Sequence, residues 1–81
     1  MQNRIIDSTE LGNVVRTARK AQGMTQKDLS RIFSAFSREF LSDLENGKPT
    51  VELGKTLSVL SALGIRVVLE YDDDSELGGA S

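Results

Sequence analysis

Four short runs of apolar residues at helical spacing, each stopped by residues that cannot extend a helix, set the architecture open to this chain. The first runs from about Ser8 or Thr9, either hydroxyl being able to cap it, to Gln22, with Leu11, Val14, Val15 and Ala18 on one side and Gly23 ending it. Thr25 then opens a second, two-turn segment. Asp28 stands three residues on as the reciprocal partner of a capping box, ahead of Leu29, Ile32 and Phe33. After the small-residue break Ser34-Ala35, Ser37 is the expected N-cap of a third helix, Arg38 to about Glu45. Its apolar side is Phe40, Leu41 and Leu44, and Phe36 is placed to staple onto Leu41.

Asn46-Gly47-Lys48-Pro49 reads as a turn, and Thr50 as the cap of a fourth helix carrying Leu53, Leu57, Leu60 and Leu63 until Gly64 closes it. The period then changes. Ile65 to Tyr71 is β-branched and near-alternating, with Ile65, Val67, Leu69 and Tyr71 on one face, the pattern of a strand. Within the chain its one weak partner is Arg4-Ile5-Ile6, so the expected partner is the same strand of a second copy. The expectation is a mainly α, four- to five-helix domain over residues 1–71 with a C-terminal strand pairing across a homodimer. Residues 72–81, rich in Asp and Gly, are expected to form an acidic disordered tail.

Eighty-one residues suffice for one domain with a small core, for which dimerisation is a natural support. The chain has no cysteine and no histidine, which removes thiolate and imidazole ligands and most familiar catalytic groups; no phosphate-cradling glycine loop is present either. No enzyme, cofactor or metal is therefore expected, and Asp72-Asp73-Asp74 reads as a solubilising segment rather than a cation cage. No apolar run approaches the roughly 20 residues of a membrane span, and Met1 to Asp7 lacks a secretory apolar stretch, so a cytoplasmic location is expected.

The net charge of -2 conceals a segregation. Residues 1–69 hold all ten basic residues and seven of the twelve acids, a balance of +3, while the other five acids crowd the C-terminal end. A mildly basic body is compatible with a polyanionic partner.

The run Gly23-Met24-Thr25-Gln26-Lys27-Asp28-Leu29, followed by Ser42-Asp43-Leu44-Glu45-Asn46-Gly47-Lys48, resembles the Cro/C1-type (XRE) helix-turn-helix family. Asn46 to Thr50, the leucine-rich helix and Leu63-Gly64-Ile65 are similar to HipB-type antitoxins within that family. The resemblance implies a DNA-binding repressor that acts as a homodimer on a palindromic operator. It also implies a HipA-like serine/threonine kinase toxin as partner and autoregulation of the operon. The alternatives are an ordinary repressor without a toxin, or a protein-binding adaptor with a degenerate helix-turn-helix.

In this family the start of the third helix enters the major groove, which assigns base contacts to Ser37, Arg38, Glu39 and Ser42. Arg38 can fork onto guanine and Glu39 can accept from cytosine; the plainer reading is a local ion pair for these two and a simple cap for Ser37. Phosphate contacts fall to Thr25, Gln26, Asn46, Lys48 and Thr50. Arg19 and Glu45 match positions that form a buried structural pair. One departure stands out: Phe33-Ser34-Ala35-Phe36 is one residue longer than the usual Ala-Gly-Val-like turn and has no glycine. Either Ser34 or Ala35 takes a strained positive φ, or the turn is rebuilt.

Overall fold

The computed structural model describes residues 3–72 and contains four helices: α1 (Ser8–Ala21), α2 (Gln26–Ile32), α3 (Arg38–Glu45) and α4 (Leu53–Ala62). Most of the expected tail, residues 73–81, lies outside the described residues. None of these helices is long and apolar enough to cross a membrane.

The helix ends show which local interactions won. At α1 the cap is Asp7, not Ser8 or Thr9, because its carboxylate accepts from the Glu10 N–H at 2.9 Å and also suits the positive end of the helix. Ser8 is freed for a tertiary role and donates to the Gly47 carbonyl at 2.8 Å. At α2 the capping box is complete: Thr25 Oγ1 accepts from Asp28 N at 3.0 Å, and Asp28 Oδ2 accepts from Thr25 N at 2.9 Å. At α3 Ser37 Oγ accepts from Phe40 N at 3.0 Å.

The start of α4 differs from the sequence expectation. Glu52 caps it, its two carboxylate oxygens accepting from Gly54 N and Lys55 N at 3.0 Å each, while Thr50 sits in the preceding turn. Its inward line is consequently Thr56, Val59, Leu60 and Leu63; Leu53 and Leu57 are 69% and 47% exposed. The helix closes with Ile65 N donating to the Leu60 carbonyl at 2.8 Å, the pattern that a glycine at Gly64 permits.

The glycine-free turn between α2 and α3 is rebuilt rather than strained. No described non-glycine residue has positive φ; instead Phe36 N donates to the Phe33 carbonyl at 2.9 Å, closing a four-residue turn. The Phe33 and Phe36 rings pack with centroids 5.6 Å apart and carry Phe36 into the core. That core is Val15, Leu29, Phe36, Leu41, Leu44, Val59, Leu60 and Leu63, drawn from all four helices and their connections.

The expected strand is absent from the described residues. Residues 65–72 carry no regular secondary structure, because a strand needs a neighbour and none pairs with this segment among the described residues. Ile65 alone packs against the core; Val67, Leu69 and Tyr71 are exposed, as is Val68 on the opposite side.

Helices α1 and α3 approach closely at Gly12, where an added Cβ would lie 2.5 Å from the Leu44 carbonyl oxygen and 2.7 Å from that of Glu45. Gly47 is fixed twice, by a φ of 81° and by Thr9, which a Cβ would meet at 2.8 Å. Gly12→Ala should therefore lower the unfolding free energy by about 1 to 3 kcal/mol, despite its better helix propensity, because the clash is with rigid backbone. Urea denaturation with an unchanged slope is the check; equal or greater stability would contradict the close α1–α3 crossing.

Candidate nucleic-acid interface

The carboxylate of Glu45, at the C-terminal end of α3, is where three elements are tied together. Its side chain is fully buried. Arg19 of α1 donates to it twice, from Nε at 2.7 Å and from Nη2 at 2.8 Å, and turns its remaining nitrogen to the Met24 carbonyl at 2.7 Å. This bidentate fork fixes α1 against α3 and against the entry to α2.

Gln26, in the first turn of α2, donates to Glu45 Oε1 at 3.3 Å. The same oxygen has Arg16 Nε 3.4 Å away. Burial pushes the Glu45 carboxyl up, but hydrogen bonds from Arg19 and Gln26, the Arg19 charge and the Arg16 hydrogen bond outweigh it, so the group lies below its ordinary value. The Arg19 guanidinium is held still more firmly protonated by its hydrogen bond to Glu45, against the opposing effect of burial. Asp28 is also lowered, first by the Thr25 backbone N–H and then by the Thr25 hydroxyl of the capping box.

Of the sequence-predicted contact residues Gln26 bonds to this carboxylate, while Ser42 and Asn46 bond to each other at 3.3 Å near the end of α3. Thr25 and Gln26 mark the N-terminus of α2, whose leading N–H groups suit an anion. Ser37, Arg38 and Glu39 project from the start of α3, exposed, and neither Arg38 nor Glu39 forms an ion pair among the described residues. Ser37, Glu39, Lys48 and Thr50 come together around a shallow hollow of about 240 Å³ that Phe40 and Asp43 also line. The α3 tip and the turn after it thus form one continuous surface.

Two further residues bear on this arrangement. The Asp43 carboxylate lies 3.5 Å from Lys48 Nζ, and the Asp43 backbone carbonyl accepts from the Lys48 N–H at 3.0 Å, so the cation of the turn has a carboxylate beside it. Arg16 reaches from α1 to the end of α3, donating to the Glu45 carbonyl at 3.2 Å and to Asn46 Oδ1 at 3.1 Å. Its position one helical turn before Arg19 was the available signal. The exposed Val67, Leu69 and Tyr71 lie on the C-terminal segment and do not line the hollow.

Two short, side-chain-capped helices joined by a tight turn and packed on each other, the second of them also packed on α1, form a helix-turn-helix unit. Comparison with known proteins agrees. The family described as Helix-turn-helix (HTH_3) matches residues 15–68. The HTH-type transcriptional regulator y4mF of Sinorhizobium fredii is 40% identical over 67 residues, which is 83% of this chain and 87% of that protein.

Among solved structures, a HipB-O4 20mer complex superposes with a TM-score of 0.76 at 22% identity, over 89% of this chain and 100% of the other. A HipB-O1-O2 complex gives a TM-score of 0.76 at 23% identity, over 86% and 100%. The chain belongs to the Cro/C1-type helix-turn-helix family, a class of DNA-binding transcriptional regulators, and has the fold of HipB.

Because the Glu45 carboxyl is lowered in the folded state, its contribution to stability is complete above the ordinary value of 4.5 and is lost as pH falls through the lowered value. Glu45→Gln should cost about 3 to 5 kcal/mol at neutral pH, leaving the Arg19 charge without its partner. The gap between variant and parent should narrow on acidification below 4.5 as the parent's own carboxyl protonates. Denaturation curves across that range decide it; a gap independent of pH would show that the carboxylate charge is not what ties the helices.

Proposed function

We propose that this protein is a homodimeric repressor that binds a palindromic DNA operator through α3 and its flanking turns. The observation that carries the reading is the single surface on which Ser37 and Glu39 of the α3 start adjoin Lys48 and Thr50 of the turn that follows the helix. On it, side chains able to read base edges adjoin groups able to grip phosphate. In this proposal Ser37, Arg38, Glu39 and Ser42 face the major groove, with Arg38 forking onto guanine. Thr25, Gln26, Asn46, Lys48 and Thr50 set the register on the backbone.

Lys48 acts through a screened charge. Asp43 beside it reduces its pull on phosphate, so the protein relies on base contacts more than a strongly basic regulator would. Dimerisation uses the apolar surface left open on one chain, Leu53 and Leu57 of α4 with Val67, Leu69 and Tyr71 of the C-terminal segment, next to the core-packed Ile65. Two copies related by a two-fold axis place their α3 helices on half-sites about 34 Å apart.

The likeness to HipB supports a finer reading, in which the repressor is the antitoxin of a HipA-like serine/threonine kinase and controls its own operon. Co-expression with a kinase encoded beside it, followed by co-purification and a kinase assay, is the test of that part. Two proteins that elute separately would remove it and leave the repressor intact.

The DNA reading is tested by fluorescence anisotropy against the DNA upstream of the coding sequence, with scrambled DNA as control, at several salt concentrations. The parent should prefer the upstream DNA, lose affinity steeply with salt and bind as two protomers per site. Arg38→Ala should cost about 1 to 3 kcal/mol and relax preference at one base pair, whereas Lys48→Ala should weaken all sequences alike and flatten the salt slope by about one. Absent or salt-independent binding would instead favour the protein-binding adaptor.

A further inference from the structure

A line of side-chain contacts runs from α1 across the end of α3 toward the groove-facing side, and its chemistry is directional. Arg16 Nη2 donates to Asn46 Oδ1 at 3.1 Å. An amide has one accepting end and one donating end, so holding Oδ1 turns Nδ2 the other way, where it donates to Ser42 Oγ at 3.3 Å. Arg16 is itself anchored, by the Glu45 carbonyl at 3.2 Å and the Glu45 carboxylate at 3.4 Å.

A serine within a helix commonly sends its hydroxyl hydrogen back to a carbonyl of the preceding turn. Ser30 does so to Lys27 and Ser58 does so to Gly54. Ser42 makes no such bond among the described residues; its oxygen accepts from Asn46, and its hydrogen is left without an acceptor among them.

We propose that the Arg16-Asn46-Ser42 relay fixes Ser42 as a hydrogen-bond donor toward one base edge, with Arg16 as a positioning residue. The inference rests on the DNA-binding reading and adds a base preference to it. A donor in the major groove is satisfied by guanine O6 or N7, adenine N7 or thymine O4; cytosine offers there only its amino donor. Ser42 thereby discriminates against cytosine at the base it faces, and Arg16, which touches no base, enforces that choice.

The experiment is a set of duplexes in which each operator position is replaced in turn by all four bases, titrated with the parent, Ser42→Ala, Arg16→Ala and Asn46→Asp. For the parent, cytosine at one position should weaken binding roughly fivefold relative to the other three bases, the effect of one net hydrogen bond. Ser42→Ala and Arg16→Ala should erase that preference at that position only. Asn46→Asp should reverse it, because a carboxylate there accepts the Ser42 hydrogen and leaves the serine oxygen to accept from the cytosine amino group.

Asn46 is exposed and lies just beyond α3, so its substitution keeps the test open should Arg16→Ala perturb folding. Asn46→Asp and Arg16→Ala make the surface more negative and should also lower affinity for all duplexes alike; variants that do only that and keep the parent's base preference would overturn the relay while leaving DNA binding in place. A parent that binds all duplexes equally and without salt dependence would overturn the DNA reading and the relay together.

Discussion

The buried pair between Arg19 and Glu45 holds the relative placement of the first three helices. Each carboxylate oxygen receives a nitrogen of one guanidinium at 2.7 to 2.8 Å, and the guanidinium's remaining contact is the Met24 carbonyl at the entry to α2. Such a pair gains little over a well-packed apolar substitute, but its loss is costly, because either charge left alone in the interior has no solvent to stabilise it. Its use here is geometrical. Fixing the end of α3 to α1 also fixes the turn that follows, and Gln26 reaches the same carboxylate from α2. The residues assigned to phosphate and those assigned to bases are thus held in one frame. Gly12 makes the arrangement possible by letting the backbones of α1 and α3 approach closely enough for the fork to close.

Electrostatically the surface is restrained. Lys48 of the turn has the Asp43 carboxylate of α3 beside it, and Glu39 and Asp43 line the same hollow. Long-range attraction to a polyanion is correspondingly modest, which shifts the burden toward geometry and directed hydrogen bonds. That balance suits a regulator that must prefer one site to many, since a strongly basic face would raise affinity for every sequence equally.

Much of this was legible in the sequence because it depended on local chemistry. The Thr25-Asp28 box, the Ser37 cap, the extent of α3 and the closing role of Gly64 all follow from interactions within a few residues. Where the reading differed, an element depended on something farther away. Asp7 took the α1 cap and left Ser8 to reach Gly47. Glu52 replaced Thr50, so the leucine spacing of α4 turned Leu53 and Leu57 outward. The alternating residues 65–71 satisfied the periodicity of a strand, yet periodicity cannot supply the neighbour a strand requires. The turn at Phe33 to Phe36 was a choice between strain and rebuilding that only the aromatic packing of its two ends resolved. Arg16 was missed as a site residue because its partner Asn46 lies 30 positions along the chain and is brought to it by folding.

The central claim is that α3 and the turns beside it form the DNA-facing surface of this fold. Amide chemical-shift mapping of the isotopically labelled protein, titrated with a duplex of its upstream DNA, tests it most directly. The account predicts that the largest changes fall on Thr25 and Gln26, on Ser37 to Ser42 and on Asn46 to Thr50, with the exposed α4 residues Leu53 and Leu57 unaffected by the duplex itself. Changes concentrated on α4 and the C-terminal segment, with the start of α3 undisturbed, would contradict it.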